Sequence, residues 1–322
     1  MIMQALARRL AAFAIVAVLT TAAAGCGGTH ASSAGGSSAS ASAGTGSFPT
    51  MVMAANGAVH ISRRPASIVS LSPTATEMLY AIGAGRQVRA VDADSDYPAQ
   101  APRTKLSYLD PNVEALVAEK PDLVIISSST TNSLAKRLAG YSIPVLELPA
   151  PAGLSGVYAE FDQLGRATGN LPQAEHEVSS LRAQISQIRA AVPSRSAPPT
   201  YYYELDQTYF SVTSATFIGK LLGLLGMKSI ADAARGAAAA GGYPQLSAEY
   251  IIKANPDYII LADTVCCHQS ISTLRSRPGW AGLAAVRFGH VILLNDDIAS
   301  RWGPRIVDLL RVVLAGLRGS GH

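Results

Sequence analysis

The chain has 322 residues, 48% of them hydrophobic and 15% charged, with three cysteines and a formal charge of +4. That length and apolar content suit one or two sizeable domains with cores of their own and exclude a small disulfide-stapled scaffold. Setting aside Arg8 and Arg9 takes the charge from +4 to +2, and no run of like charge marks a nucleic-acid partner.

Arg8 and Arg9 precede an uncharged stretch over residues 10–24, and Ala23, Ala24 and Gly25 lead into Cys26. This is the layout of an export signal with a lipidation site. The apolar stretch falls short of the about 20 residues that cross a bilayer core, whereas acylation of Cys26 would add the two hydrophobic signals that stable anchoring takes. Residues 1–26 are therefore expected to be a lipoprotein signal, placing the chain outside the cytoplasm and on a membrane by its lipid. An ordinary leader with an incidental cysteine is the alternative. Residues 27–48 are nearly all Gly, Ser, Ala and Thr, the composition of a flexible tether reaching roughly 25 Å.

Beyond Phe48, β-branched runs at 68–71, 88–91, 123–126 and 145–148 alternate with helical segments, the pattern of a parallel sheet covered by helices. Ser72-Pro73, Asp110-Pro111 and Asn132 are favourable helix openings. Glu77, three residues after Thr74, fits a capping box. Ala174, Val178, Leu181, Ile185, Ile188 and Val192 recur at spacings of four and three, one apolar face of a long helix. Asn170 and Pro172 can start it and Pro193 stops it, which predicts a strut over 170–193 about 30 Å long. A coiled-coil seam would show the same stripe, but a lobe on either side favours the strut.

A second set follows, with strands expected at 201–205, 258–262 and 291–294 and helices near 216–225, 247–254 and 304–317. Asn112-Val-Glu-Ala-Leu-Val-Ala-Glu-Lys-Pro-Asp-Leu-Val-Ile-Ile126 is echoed by Leu246-Ser-Ala-Glu-Tyr-Ile-Ile-Lys-Ala-Asn-Pro-Asp-Tyr-Ile-Ile260. In each, a helix with an early glutamate, Glu114 or Glu249, runs through a Pro-Asp corner into a buried strand. A duplicated α/β lobe follows, 49–169 before the strut and 194–322 after it.

Hydrolase elbows, phosphate loops, dinucleotide fingerprints and zinc-protease motifs are missing from the sequence. The six histidines form no i, i+3 or i, i+4 pair, which disfavours a receptor for a bare metal ion. Cys266 and Cys267 follow a predicted strand, where open α/β sheets carry ligand loops. Outside the cytosol they could form a vicinal disulfide. A rigid ligand-contacting loop, a structural loop and a metal or haem ligand all fit these residues.

Ser72-Pro-Thr-Ala-Thr-Glu77, Ser95-Asp-Tyr-Pro98, Leu106-Ser-Tyr108, Lys120-Pro-Asp-Leu-Val-Ile125, Tyr243-Pro-Gln-Leu-Ser-Ala-Glu249 and Asp297-Ile-Ala-Ser-Arg-Trp-Gly-Pro-Arg305 stand in family order. Together they resemble the ferric-siderophore and vitamin B12 periplasmic-binding family over roughly residues 60–318. The resemblance implies two Rossmann-like α/β lobes bridged by one long helix, with a ligand held between lobes that close only slightly. It implies no enzyme and no resident cofactor: the cargo would be a corrinoid first, a ferric siderophore second and haem third. A membrane-anchored envelope sensor or enzyme is the reading from another class. By resemblance, Tyr108, Tyr243, Asp297 and Arg301 fall at cleft positions, with Phe210 or its neighbour Tyr209 as a further aromatic. Asp94, Tyr97 and Trp302 lie in the same motifs, Asp94 where an aromatic is expected. Flat aromatics bury a large ligand at low entropic cost while Asp and Arg satisfy its polar groups; half-buried packing is the plain alternative for each tyrosine. Glu114 and Glu249 would dock on arginines of an ABC permease dimer, whose ATPase drives import, although first-turn glutamates are also favoured by the helix end itself. The receptor is expected to be a monomer.

Overall fold

The computed structural model describes residues 47–127 and 132–319; the expected signal, Cys26 and nearly all of the tether lie outside the described residues. The strands, in order, are β1 (Thr50–Ala54), β2 (Gly57–Ile61), β3 (Ile68–Leu71), β4 (Val88–Asp92), β5 (Arg103–Leu106), β6 (Leu123–Ile126), β7 (Val145–Glu147), β8 (Thr200–Glu204), β9 (Lys228–Ser229), β10 (Tyr258–Leu261) and β11 (Val291–Leu293). Between them run α1 (Pro73–Ala81), α2 (Val113–Ala118), α3 (Asn132–Ala139), α4 (Leu154–Thr168), α5 (Leu171–Ala190), α6 (Phe217–Gly223), α7 (Ala248–Ala254), α8 (Ile271–Ser276), α9 (Ala284–Arg287), α10 (Asp296–Ser300) and α11 (Ile306–Gly319).

Two parallel sheets result, ordered β5-β4-β3-β6-β7 and β11-β10-β8-β9, with β1 and β2 as a separate antiparallel hairpin. Matching β3 with β8 aligns β4, β6 and β7 with β9, β10 and β11, so the sequence echo is a duplicated sheet, and β5 is an extra edge strand of the first copy. All four residues of β3, β6 and β10 are buried, because a parallel sheet covered on both faces gives its strands no solvent side.

The alternate faces go to different cores. Ile68, Leu123 and Ile125 of the first sheet and Tyr201, Tyr203, Tyr258 and Ile260 of the second join one central cluster. Val69, Val124 and Ile126 face a satellite core under α2 and α3, while Tyr202, Ile259 and Leu261 face another containing Trp280. Ala174, Leu181, Ile185 and Ile188 of α5 are buried in the central cluster, with Val178 and Val192 partly buried against it. The predicted stripe is thus the face of α5 that packs between α4 of the first half and α11 of the second. A core continuous through both halves opposes wide hinge motion, since packed interiors do not deform smoothly.

The corner joining α4 to α5 depends on two glycines. Gly169 ends α4 in the left-handed region at φ 73°, and a β-carbon on Gly165 would lie 2.7 Å from the Ala174 methyl and 2.9 Å from Leu171 Cα. Contact that close leaves no room for a side chain.

Most predicted helix openings are in place. Ser72 caps α1, its hydroxyl accepting from the Ala75 amide, with Pro73 in the first turn; Thr216 and Ser247 cap α6 and α7 in the same way. Two details differ. Asn112 caps α2, accepting from the Ala115 amide at 2.8 Å, where Asp110-Pro111 was the expected opening. Glu77 forms no capping box with Thr74, because Ser72 already fills that position; its carboxylate is buried in an ion pair with arginines 224 and 228 residues away.

Candidate ligand cleft

The loops leaving the carboxyl ends of the two sheets meet each other, as open α/β sheets place ligands. On the first side, buried hydroxyls anchor the loop after β4. The Thr76 hydroxyl donates to Ser70 Oγ at 2.9 Å and lies 3.1 Å from Ser95 Oγ, and Ser95 donates to Asp92 Oδ2 at 2.6 Å. Burial pushes the Asp92 carboxyl up, opposed by the Ser95 hydroxyl and the Asp94 amide. This network fixes the segment that presents Asp94, Asp96 and Tyr97.

On the second side, Asn295 caps α10 by accepting from the Asp297 and Ile298 amides. The chain then turns so that Arg301, 6% exposed, crosses to the first half. Its Nη1 donates to Glu77 Oε1 at 3.0 Å, and its Nη2 donates to Asp297 Oδ1 at 2.7 Å and to the Asp94 carbonyl at 3.0 Å. Asp96 Oδ1 is 2.9 Å away. Arg305 donates from Nε and Nη2 to the two Glu77 oxygens at 2.9 and 2.5 Å, and its guanidinium lies 4.1 Å from the centre of the Tyr97 ring. Burial raises the Asp297 carboxyl, and Arg301 opposes that rise.

Arg301, Asp297, Asp94 and Tyr97 are therefore one cluster, closed by Glu77, Asp96 and Arg305. Tyr108 stands half-buried just beyond β5; burial and the charges of Asp94 and Asp92 push its phenol up to about 12. Tyr243 is half-buried against the central core, and Phe210 is half-buried in an isolated bridge to Gln245. Tyr209 turns away at φ 68° and stacks on Trp280 with centroids 5.7 Å apart. Trp302 leaves the cluster and donates from Nε1 to Glu160 Oε2 at 2.9 Å. Cys266 and Cys267 are joined by a disulfide after β10. Glu114 and Glu249 are exposed, each the second residue of its helix, α2 and α7. Among the described residues no three His, Cys, Asp or Glu side chains converge as a metal set.

Glu77, Arg305 and Glu160 were not anticipated. Arg305 stands within a quoted motif, but nothing in the spacing shows that it shares a buried carboxylate with Arg301. Glu160 is 5% exposed, and desolvation raises its pKa from 4.5 to about 8 against the hydrogen bond from Trp302. A folded pKa above the unfolded one means that between them the native state keeps a proton the unfolded chain releases. Stability contributed by Glu160 is then full below about 4.5 and falls by about 1.4 kcal/mol per pH unit up to about 8. Glu160→Gln should remove that slope, so the variant gains on the parent as urea-unfolding measurements move from pH 5 to pH 8. Part of the slope will persist, because burial and Glu204 raise Asp263 to about 8 as well.

Duplicated parallel sheets, one bridging helix, a shared core and facing carboxyl-end loops define a cleft-type solute receptor. The profile of the periplasmic binding protein family matches residues 68–298, and the chain belongs to that family. It is 30% identical over 270 residues to YvrC, an uncharacterized ABC transporter substrate-binding lipoprotein of Bacillus subtilis, covering 81% of this chain and 83% of that one. A cobalamin-binding protein of Halobacterium salinarum is likewise 30% identical over 270 residues, 81% of this chain and 72% of that one. Among solved structures, the periplasmic vitamin B12 binding protein BtuF of Vibrio cholerae superposes with a TM-score of 0.66 at 26% identity, covering 80% and 98% of the two chains. A possible iron-binding periplasmic solute-binding protein of Staphylococcus epidermidis gives 0.69 at 25% identity, covering 79% and 99%.

Proposed function

We propose that this chain is the extracytoplasmic receptor of an ABC importer, capturing a corrinoid and handing it to a permease dimer powered by its ATPase. The observation that carries the reading is the polar cluster of Arg301, Asp297, Asp94 and Asp96 at the seam between the sheets, with Tyr97 against Arg305 and Tyr108 beside the Asp94 charge; Tyr243 and Phe210 are assigned to the cleft wall as part of this proposal. Aromatic side chains cover a broad rigid ligand while Asp and Arg meet its amides and phosphate. Identity to a cobalamin-binding protein over most of the chain supports the same ligand class. Residues 1–26 serve as the signal, lipidated Cys26 as the anchor and 27–48 as the tether. Residues 49–169 and 194–322 form the lobes on either side of the 170–193 helix, and the receptor acts as a monomer. No bond of the cargo is made or broken. A ferric siderophore is the second reading, favoured by the likeness to the Staphylococcus epidermidis protein.

Titration with cyanocobalamin, haem and a panel of ferric siderophores, followed by tyrosine and tryptophan fluorescence, tests this directly. Cyanocobalamin is expected to bind most tightly. If nothing binds better than about 10 μM, about 7 kcal/mol, the receptor reading fails.

A further inference from the structure

The loop after β10 is pinned from both sides. Towards β11, the Thr264 hydroxyl donates to the Leu294 carbonyl at 2.6 Å, and the Val265 and Cys266 amides donate to the Asp296 carboxylate at 2.9 and 2.7 Å. Towards α8, Gln269 donates to the Cys267 carbonyl at 3.1 Å and accepts from Arg277 at 2.7 Å, while Arg277 grips buried Glu204 with two bonds of 2.6 Å. Held this firmly, the loop still leaves Val265 58% exposed and Cys266 open to solvent.

A crosslink between neighbouring residues closes almost no chain, so it adds little of the unfolded-state restriction by which disulfides stabilise folds. Its effect is local: it sets the shape and chemistry of an exposed tip at the carboxyl end of an inner strand, the ligand edge of such sheets. Asp296, which holds the tip, is the direct neighbour of Asp297, which holds Arg301. The tip and the polar cluster are thus mounted on the same first turn of α10.

We propose that the Cys266–Cys267 disulfide is a contact ledge of the cleft for the apolar rim of a macrocyclic metal chelate, and that its reduction weakens capture. The inference rests on the chelate-receptor reading above. Divalent sulfur is soft and polarisable, packs favourably on flat conjugated or methylated surfaces, and here needs no rearrangement to present itself. Exposed disulfides are the labile ones. A dithiol donor attacks one sulfur as its thiolate, forms a mixed disulfide and closes its own ring. Two electrons and two protons pass to Cys266 and Cys267, and the donor leaves oxidised. The two thiols then turn independently, and the ledge is lost.

The full chain, purified in detergent, is titrated with cyanocobalamin in two states: oxidised, and reduced with dithiothreitol then desalted under nitrogen. A gain of two alkylatable thiols by intact mass confirms reduction. The reduced form should bind roughly tenfold more weakly, about 1.4 kcal/mol, and recover on reoxidation. The Cys266→Ser/Cys267→Ser double variant should bind as weakly as the reduced form and ignore dithiothreitol. Equal affinity of oxidised and reduced protein overturns this inference and leaves the receptor intact. Failure of the oxidised form to bind cyanocobalamin, haem or any siderophore overturns both.

Discussion

Replacing Glu77 by alanine should lower the unfolding free energy by roughly 3–5 kcal/mol, the loss typical when one partner of a buried ion pair is removed. Glu77 is fully buried and is shared by Arg301 and Arg305, whose side chains are 4% and 14% exposed. Without it, two guanidiniums face each other with less countercharge. Arg301 keeps Asp297, Asp96 and the Asp94 carbonyl, which is why the lower end of the range is reachable. Arg305 keeps only the Tyr97 ring face among its partners described above. At about 2–4 °C per kcal/mol for a chain of this size, the melting temperature should drop by roughly 6–20 °C in calorimetry. Glu77→Gln preserves shape and one acceptor, so it should lose less stability than the alanine variant; an equal loss would assign the whole effect to the missing charge. A change under about 1 kcal/mol would mean that water replaces the carboxylate, and the seam between the halves would not be the rigid contact described here.

The parts of this fold that were legible are those where a local pattern and its tertiary role coincide. The apolar stripe from Ala174 to Val192 predicted a helix buried on one face, and α5 buries that face against both halves. The echoed Pro-Asp corners predicted a duplicated lobe because both precede strands buried on all sides, β6 and β10. Some of the elements that escaped are weak locally. Strand β5 reads Arg-Thr-Lys-Leu, a polar edge with no apolar run, and β9 is two residues long. The 15 residues of α4 carry Leu154, Val157, Phe161 and Leu164 at helical spacing, but Gly156 and Gly165 interrupt the segment with the residue least expected in a helix. Gly165 is there for contact with α5, information held in the partner helix. Glu77 shows the same limit at the candidate site. Its spacing from Thr74 matches a capping box, and only the fold reveals that its charge belongs to arginines more than 200 residues away. Ion pairs of that separation leave no periodicity for a single sequence to display.

Reversing both exposed glutamates, Glu114→Arg with Glu249→Arg, should reduce ATP-driven uptake by at least tenfold, about 1.4 kcal/mol or more, while leaving cyanocobalamin affinity unchanged. The structure places the two carboxylates at equivalent points of the duplicated lobes: second in α2 behind the Asn112 cap, and second in α7 behind the Ser247 cap. Each helix already has its cap, and each glutamate side chain faces solvent. The Glu249 carboxyl is held below its usual range by its own backbone amide and the Ser247 hydroxyl, which keeps it charged at any pH where transport is measured. A local helix-end role would cost a little stability per site on neutralisation, with no effect specific to uptake. Docking predicts the opposite division. Like charges brought together across an interface cost several kcal/mol, so reversal should abolish productive contact with a cationic permease surface without touching the cleft. Single reversals should be intermediate, since one of the two lobes keeps its correct contact. Arginines reversed to glutamate on the permease should restore uptake by the double variant, a rescue that helix-end electrostatics cannot produce. Uptake falling only in proportion to a measured loss of folded receptor would return both glutamates to that local role.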